Sequence, residues 1–302
     1  MVSMSAIKRV FLIINQKKIE KFAYLKDIIC LISQNGSQIF ADVPTLSFLT
    51  SQNICCAGDV QSIEHHDFLK EKIGLAVVLG GDGTILSAAR AVSEYNIPIL
   101  GINLGNLGFL AEVMPEDYKD SINRIFKKDD YSVERRLMIK CEVERAKKIV
   151  ATFYALNEVV IRRESSSKMN ISEVFIDGKF VDKYCGDGLI ISTPTGSTAY
   201  SLSCGGPILS PELPAFLLIP ICAFTLASRP LIVPETVKIK VNEKSDWESS
   251  ISTDGQQSFM LQKEDAIYFS RSPYHAGLIK FDENNFFDIL RTKLGWGNFH
   301  KN

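Results

Sequence analysis

The chain has 302 residues, more than one ordinary domain of about 100 to 200 residues, so its length predicts two domains. Hydrophobic residues make up 46% of the chain and charged residues 23%, which excludes a disordered polypeptide. The 34 Lys and Arg nearly balance the 35 Asp and Glu. Because nucleic acids and membrane surfaces are bound by clustered positive charge, neither is an expected partner.

Cysteine content and apolar runs bear on location. The seven cysteines are odd in number and lack C-x-x-C spacing, which fits neither a disulfide framework nor a zinc site. We therefore expect a reducing, cytoplasmic location. The apolar run at residues 10–14 is shorter than the about 7 to 15 residues of a signal-peptide core. The most apolar stretch, residues 213–228, is too short for a membrane helix of about 18 to 20 residues, so we expect buried core.

The first third of the chain alternates apolar runs with amphipathic stretches. Strands are predicted at residues 10–14, 38–43, 74–79 and 97–104, and helices at residues 22–32 and 85–92. Strands that alternate with helices indicate a parallel sheet covered on its faces. We expect an α/β N-terminal domain with an open parallel sheet over residues 1–134.

From about residue 135 the pattern changes to short segments of period two. These segments are residues 138–145, 149–163, 171–184, 231–243 and 266–272. The pairs Asp177-Gly178 and Asp254-Gly255 predict turns with positive φ. We expect an all-β, sandwich-like C-terminal domain over residues 135–280.

The last residues, 281–302, predict a helical tail. Phe286, Leu290 and Leu294 recur at helical spacing. Asn284 or Asn285 is a suitable N-terminal cap. We expect this C-terminal helix to pack back on the N-terminal domain.

The sharpest local motif is a glycine-rich turn between a predicted strand and a predicted helix. It consists of Gly80, Gly81, Asp82, Gly83 and Thr84. The glycines allow close approach of a ligand, and amides at a helix N-terminus favour phosphate. The chain has no Walker motif, and Leu86 replaces the third glycine of G-x-G-x-x-G. We predict a phosphate-binding turn at Gly80, Gly81, Gly83 and Thr84.

Asp82 is the unexpected residue in this turn, because a carboxylate among phosphate-binding amides repels the ligand. It therefore predicts a chemical role: holding a ribose hydroxyl, accepting its proton or meeting a magnesium ion. The alternative is an ordinary tight turn in which Asp82 caps the helix.

A second motif follows Gly186-Asp187-Gly188. Residues 188–211 contain no charge, yet eight of these 24 residues are Ser or Thr. Such a stretch suits neither a plain core, where hydroxyls need partners, nor a plain surface. A ligand-lining loop fits, with hydroxyls from Thr195, Ser197, Thr198 and Ser203, close approach at Gly196, Gly205 and Gly206, and a flat ring at Tyr200. The alternative is a flexible Gly/Ser-rich linker.

A third, weaker motif is the pair Asn157-Glu158 between apolar stretches. The amide can bind the edge of adenine, and the carboxylate can bind ribose hydroxyls. A solvated strand end is the alternative for this pair.

Taken together, the GGDGT turn, the Asn-Glu pair, and the GDG triplet with its TPTGSTAYSLSCGGPI run resemble the NAD kinase family. The resemblance extends from about residue 8 to residue 294. GGDGT alone also occurs in diacylglycerol, sphingosine and phosphofructokinase-type kinases, whereas TPTGSTAYS joined to Asn-Glu is close to diagnostic of this family.

The resemblance implies ATP-dependent phosphorylation of the 2′-hydroxyl of the adenosine ribose of NAD, giving NADP, with a divalent metal cation, Mg²⁺ being expected. It implies Asp82 as the catalytic residue and singles out no metal ligand. The implied NAD-binding residues are Asp82, Gly83, Asn157, Glu158, Lys168, Cys185, Asp187, Thr198, Ala199, Tyr200, Ser201, Leu202, Ser203 and Gln256. Asn157 and Glu158 would hold the adenine side, and Asp187 the nicotinamide half. A homo-oligomer, dimer or tetramer, is also implied.

Two other functions compete with this interpretation. One is a lipid or sugar kinase that shares the GGDGT turn. The other is a non-catalytic NAD-binding sensor. The uncharged, hydroxyl-rich segment argues against the first, and the intact Asp82 argues against the second.

Overall fold

The computed structural model describes residues 7–17, 23–54, 58–104, 108–111, 113–164, 169–244, 248–282 and 285–296. The chain divides into two compact units, one formed by residues 1–135 and 276–302 and the other by residues 136–275. Each unit is built around its own apolar cluster. Among the described residues, no helix is long and apolar enough to cross a lipid bilayer.

The first unit is an α/β layer built on a parallel sheet. Its elements are β1 (Arg9–Ile14), α1 (Ala23–Gln34), β2 (Gln38–Ala41), α2 (Val43–Ser51), β3 (Val60–Ser62), β4 (Leu75–Gly80), α3 (Asp82–Val92), β5 (Ile99–Asn103), α4 (Tyr118–Asn123) and α6 (Phe286–Leu294). The parallel strands lie in the order β3, β2, β1, β4, β5. The predicted open parallel sheet is confirmed.

Helix α6 belongs to the first unit. Asn285 caps it by accepting a hydrogen bond from the Asp288 amide at 3.0 Å. Leu290 is buried, and the Lys293 ammonium lies 5.8 Å from the centre of the Phe109 ring. The expected return of the C-terminal helix is confirmed.

The second unit is an antiparallel sandwich. Its elements are β6 (Ser132–Arg145), β7 (Lys148–Ala155), β8 (Glu158–Arg163), β9 (Asn170–Ile176), β10 (Lys179–Gly186), β11 (Gly188–Ser192), α5 (Tyr200–Ser203), β12 (Ala215–Ile221), β13 (Leu231–Pro234), β14 (Ile239–Glu243), β15 (Ser249–Thr253), β16 (Gln257–Met260) and β17 (Ala266–Lys280). One sheet has the order β10, β9, β14, β17, with β6 pairing β17 and β7. The other has the order β13, β12, β11, β8, β15, β16.

The core of this unit shows why the period-two pattern predicts a sandwich. Alternate residues of both sheets, such as Ile139 and Val241 from one and Val159 and Ile191 from the other, share one buried cluster. Opposite faces of a strand alternate along the chain, so one face of each sheet points into this core. The all-β expectation is confirmed.

The apolar stretch at residues 213–228 is only partly core. Strand β12 is buried, but Phe224 is 76% exposed and Leu226 is 92% exposed. The strand ends at Ile221, and Cys222 then takes a left-handed conformation with φ of 46°, which turns the chain outward. The expectation of buried core is wrong for this second half.

The predicted segment 149–163 is divided into two strands that belong to different sheets. Strands β7 and β8 are separated by a turn at Leu156 and Asn157. Buried Asp254 binds this turn: its carboxylate accepts hydrogen bonds from the amides of Leu156 at 3.2 Å, Asn157 at 2.8 Å and Glu158 at 3.2 Å. The carboxylate therefore fixes the corner where the chain passes from one sheet to the other.

Both Asp-Gly pairs adopt positive φ as expected. The values are 47° and 77° at Asp177-Gly178, and 49° and 64° at Asp254-Gly255. The two pairs differ in environment, because Asp177 is exposed and binds one amide, that of Lys238, at 3.0 Å.

Replacement of the Asp254 carboxylate tests the role of this corner. Asp254→Asn keeps one acceptor oxygen but turns an amide group toward a backbone N–H donor. We expect a loss of about 1 to 3 kcal/mol in the free energy of unfolding, measured by urea denaturation, because a buried donor is left without an acceptor. The matched control is Asp177→Asn, for which we expect less than about 1 kcal/mol because the turn is exposed. Equal losses at both positions would contradict this role for Asp254.

Candidate active site

The glycine-rich turn of the first unit lies at the carboxyl end of β4. The chain leaves β1 toward β2 and β3, then returns to β4 on the other side of β1. In open α/β sheets, ligands bind outside the carboxyl ends of the strands at such a switch point. The topology therefore supports a ligand-binding role for this turn.

The glycines of the turn also serve local packing. Gly80 ends β4, and Gly81 precedes the first residue of α3. A Cβ atom built at Gly80 would lie 2.2 Å from Oγ1 of Thr84. The missing side chain at Gly80 thus makes room for Thr84, a packing role that stands beside the predicted phosphate binding.

Asp82 occupies the first position of α3 and does not cap it. The N-cap is Gly81, and no side-chain capping bond is present there. The Asp82 carboxylate instead accepts the amide of Phe109 at Oδ2, 2.9 Å away, and the amide of Leu110 at Oδ1, 3.1 Å away. The helix-cap alternative is therefore wrong. Each carboxylate oxygen has two lone pairs, so a fixed acceptor remains for a hydroxyl proton.

The segment that holds Asp82, residues 108–110, was missed by the sequence analysis. The available signal was the second glycine of Leu-Gly-Asn-Leu-Gly-Phe-Leu, residues 104–110, after β5. Because the contacts come from main-chain amides, side-chain identity does not reveal them.

In the second unit, the Asn157-Glu158 turn lies against the start of the uncharged segment. The Asn157 carbonyl accepts the Thr193 amide at 2.9 Å and the Ser192 hydroxyl at 3.2 Å. A Cβ atom at Gly196 would lie 2.2 Å from that same carbonyl oxygen. These two predicted motifs are therefore brought together, and Gly196 admits the Asn157 main chain.

The buried hydroxyls of the uncharged segment bind mainly the protein backbone. Thr193 donates to the Leu156 carbonyl at 2.6 Å. Ser197 donates to the Pro194 carbonyl at 2.6 Å and accepts the Leu209 amide at 3.0 Å. Thr195 accepts from Arg136 at 3.3 Å. This anchoring excludes the flexible-linker alternative.

Fewer side chains of this segment reach the surface than the predicted set of ligand contacts requires. Tyr200 and Ser203 are exposed, whereas Thr198, Ala199 and Leu202 are half-buried. Ser201 is fully buried, so its hydroxyl does not face solvent. The Tyr200 hydroxyl hydrogen-bonds to the Cys204 thiol, and burial raises the pKa of this tyrosine.

Glu158 carries a buried carboxyl group with a raised pKa. Its residue is 6% exposed, and Oε2 has no hydrogen-bond partner among the described residues. Burial, with a smaller contribution from Asp254, raises the pKa of Glu158 to about 8. At pH 7 the group is therefore mainly a neutral acid, able to donate as well as to accept a hydrogen bond.

Asp187 lies at the opposite end of the β8–β11 pair. Ser192 faces Glu158 at one end, and Gly188 faces Arg162 at the other. At about 3.3 Å per residue, Asp187 lies about 16 Å along the strand from Ser192. Its carboxylate pairs with Arg163 at 2.6 Å.

The remaining predicted contacts are more scattered. Cys185 is half-buried next to Gly186, and Gln256 is exposed in the turn after Asp254. Lys168 lies outside the described residues.

A metal ion has few protein ligands available. Within the described ranges, no group of three or more His, Cys, Asp or Glu side chains could hold one. Mg²⁺ commonly keeps water and substrate phosphate ligands and takes one or two carboxylates from the protein. Asp82 offers one carboxylate of that kind, and the remaining ligands would then come from water and from the nucleotide phosphates.

The raised pKa of Glu158 gives a prediction about pH and stability. Folding raises the pKa of this carboxyl group from 4.5 to about 8. Between these two pH values the folded chain holds the proton and the unfolded chain does not, so the free energy of unfolding falls as the pH rises. The wild-type protein therefore loses stability there, while Glu158→Gln does not titrate. We expect the melting temperature of Glu158→Gln, relative to that of the wild type, to rise between about pH 5 and about pH 8 and then to level off. Exposed Glu212, replaced by Gln, is the control, and a pH-independent difference at Glu158 would contradict the prediction.

Comparisons with known proteins agree on one family. The ATP-NAD kinase N-terminal domain matches residues 10–131, and the ATP-NAD kinase C-terminal domain matches residues 156–281. An NAD kinase of Carboxydothermus hydrogenoformans is 43% identical over 250 residues, or 82% of this chain and 89% of that protein. An NAD kinase of Caldanaerobacter subterraneus subsp. tengcongensis is 36% identical over 289 residues, or 95% and 99%.

Two solved structures resemble the fold. Yeast NADH kinase complexed with NADH aligns with a TM-score of 0.87 and 26% identity, covering 98% of this chain and 89% of that one. An Archaeoglobus fulgidus NAD kinase in complex with ATP aligns with a TM-score of 0.68 and 25% identity, covering 95% and 98%. The chain belongs to the ATP-NAD kinase family.

Proposed function

We propose that this protein transfers the terminal phosphate of ATP to the 2′-hydroxyl of the adenosine ribose of NAD, forming NADP. The observation that carries the proposal is the Asp82 carboxylate, held at the carboxyl end of β4 by two backbone amides. The NAD kinase names of the relatives support the choice of substrates.

In the proposed step, Asp82 accepts the hydroxyl proton. A ribose hydroxyl has a pKa far above 7, so its proton leaves as the new oxygen–phosphorus bond forms. The bond between the terminal phosphorus and the bridging oxygen breaks, and ADP departs. Positioning of the reactants supplies much of the acceleration in phosphoryl transfer. A divalent cation that arrives on the ATP phosphates would neutralise part of their charge.

The second unit supplies the proposed dinucleotide contacts. Asn157 and Glu158 bind the adenine-side ribose and base, with Glu158 acting as a neutral acid. Asp187 contacts the nicotinamide half, at a distance that suits the two ends of one extended dinucleotide. Thr198, Tyr200 and Ser203 line the region between them.

Further proposed contacts are Cys185, Ala199, Leu202 and Gln256, and the family resemblance alone supports Lys168. The Ser201 side chain is buried and is left out of the proposed contacts. We also propose a cytoplasmic location, supported by the free thiols of the five described cysteines, and a homo-oligomer, supported by the family resemblance.

An assay with purified protein tests the activity. We expect NADP to appear when NAD, ATP and Mg²⁺ are supplied, and parallel reactions with NADH, with a lipid alcohol and with a sugar compare acceptors. Phosphorylation of a lipid or sugar alone would favour the kinase alternative. Tight NAD binding without product from any donor would favour the sensor.

Asp82→Asn tests the assigned base. The variant removes the basicity of the side chain, and its amide nitrogen also replaces one of the two oxygens that accept the Phe109 and Leu110 amides. We therefore expect kcat to fall by at least about 100-fold while the Kd for NAD changes little. Asp42→Asn is the matched control, since Asp42 caps α2 in the same unit and Asn caps helices equally well. Near-normal turnover of Asp82→Asn would show that another group accepts the proton.

A further inference from the structure

The segment Gly108–Leu110 approaches Asp82 so closely that a side chain at residue 108 would collide with the carboxylate. A Cβ atom built at Gly108 would lie 2.0 Å from Asp82 Oδ1, 2.7 Å from Cγ and 2.9 Å from Oδ2. Real Cβ atoms essentially never approach other heavy atoms this closely. Gly108 is absent from the glycines with positive φ, so the requirement for glycine here is space and not backbone conformation.

The segment itself is anchored on the sheet. Leu110 is 4% exposed and Ala111 is 3% exposed. Just beyond them, Val113 makes two backbone hydrogen bonds to β5. Its amide donates to the Gly101 carbonyl at 3.1 Å, and its carbonyl accepts the Asn103 amide at 2.8 Å. Lys293 of α6 covers the Phe109 ring. Moving this segment would therefore disturb buried packing and strand-like bonds.

The Asp82 backbone is equally constrained, because residue 82 begins a helix directly after β4. An aspartate side chain has only two torsions. The collision between a methyl group at residue 108 and Asp82 would therefore be relieved mainly by rotation of the carboxylate. That rotation breaks the hydrogen bonds from the Phe109 and Leu110 amides.

We infer that Gly108 is a positioning residue for Asp82: the missing side chain at residue 108 lets two backbone amides fix the carboxylate in the orientation that accepts the hydroxyl proton. The inference rests on the proposed role of Asp82. It assigns to the segment after β5 a part in catalysis that requires no contact of Gly108 with substrate.

Gly108→Ala tests the inference through separate kinetic constants. We expect kcat to fall by about 100-fold, the scale of a lost acid–base contribution, with the KM values for NAD and ATP nearly unchanged. Gly74→Ala is the matched control in the same unit, because a Cβ there would lie 3.6 Å from Ile7, an ordinary contact. Its kcat should equal that of the wild type. A normal kcat for Gly108→Ala would overturn the inference.

A double-mutant cycle tests the contact without relying on activity. Asp82→Ala removes the atoms with which the new methyl group collides. Gly108→Ala should therefore lower the melting temperature of the wild-type protein and leave that of the Asp82→Ala protein nearly unchanged. Equal losses in both backgrounds would show that residue 108 collides with something else and would overturn the inference.

The two experiments separate failure of the inference from failure of the proposed function. If Asp82→Asn retains activity, Asp82 is not the base, and its positioning by Gly108 then has no catalytic consequence, even where the cycle shows coupling. If Asp82→Asn is inactive while Gly108→Ala is fully active, the assignment of Asp82 as the base is retained and the positioning role of Gly108 is rejected.

Discussion

In each unit, one aspartate carboxylate accepts hydrogen bonds from consecutive backbone amides. These bonds fix the positions of the candidate site residues. Asp82 binds the amides of Phe109 and Leu110, and Asp254 binds those of Leu156, Asn157 and Glu158. Four of these amides lie outside the strands, and the fifth belongs to Glu158, the first residue of β8. A buried amide without an acceptor is costly. Hydrogen bonds to an ionised acceptor are about twice as strong as those between neutral groups. The same device therefore gives both turns a defined shape before any ligand arrives.

Three glycines of the candidate site likewise make room for neighbouring protein atoms. Gly80 makes room for Thr84, Gly108 for the Asp82 carboxylate and Gly196 for the Asn157 carbonyl. In each case the atom that approaches the missing side chain belongs to the protein. A glycine-rich motif is usually interpreted as space for a phosphate, yet here it also reflects the packing of two chain segments against each other. Substitutions at these positions therefore act on the arrangement of the site residues, whether or not a ligand touches the glycine.

Sequence patterns predicted the features that burial and local geometry control. Alternating apolar residues indicated the sandwich, the Asp-Gly pairs indicated turns, and an asparagine cap at residue 284 or 285 indicated the start of α6, which Asn285 caps. The patterns do not by themselves fix the break at Leu156, because they predict one segment over residues 149–163 and offer a strand end at Asn157-Glu158 only as an alternative. Nor did they reveal the partners of Asp254 and Asp82, which are main-chain amides up to 98 and 28 residues distant in sequence. Every residue except proline carries such an amide, so these partners leave no trace in side-chain identity.

Glu158 links the fold to the proposed selectivity. Its Oε2 is buried without a partner among the described residues, and an unsatisfied buried polar atom costs about 1 to 3 kcal/mol. A ligand that offers a hydroxyl or ring N–H group would remove that cost, and a ligand without one would not. Sites that hydrogen-bond a substrate group discriminate strongly against analogues that lack it, because their buried polar atoms then stay unpaired. If NAD binds as proposed, the neutral acid beside Asn157 and the uncharged Ser/Thr segment select it by hydrogen-bond pattern and not by charge.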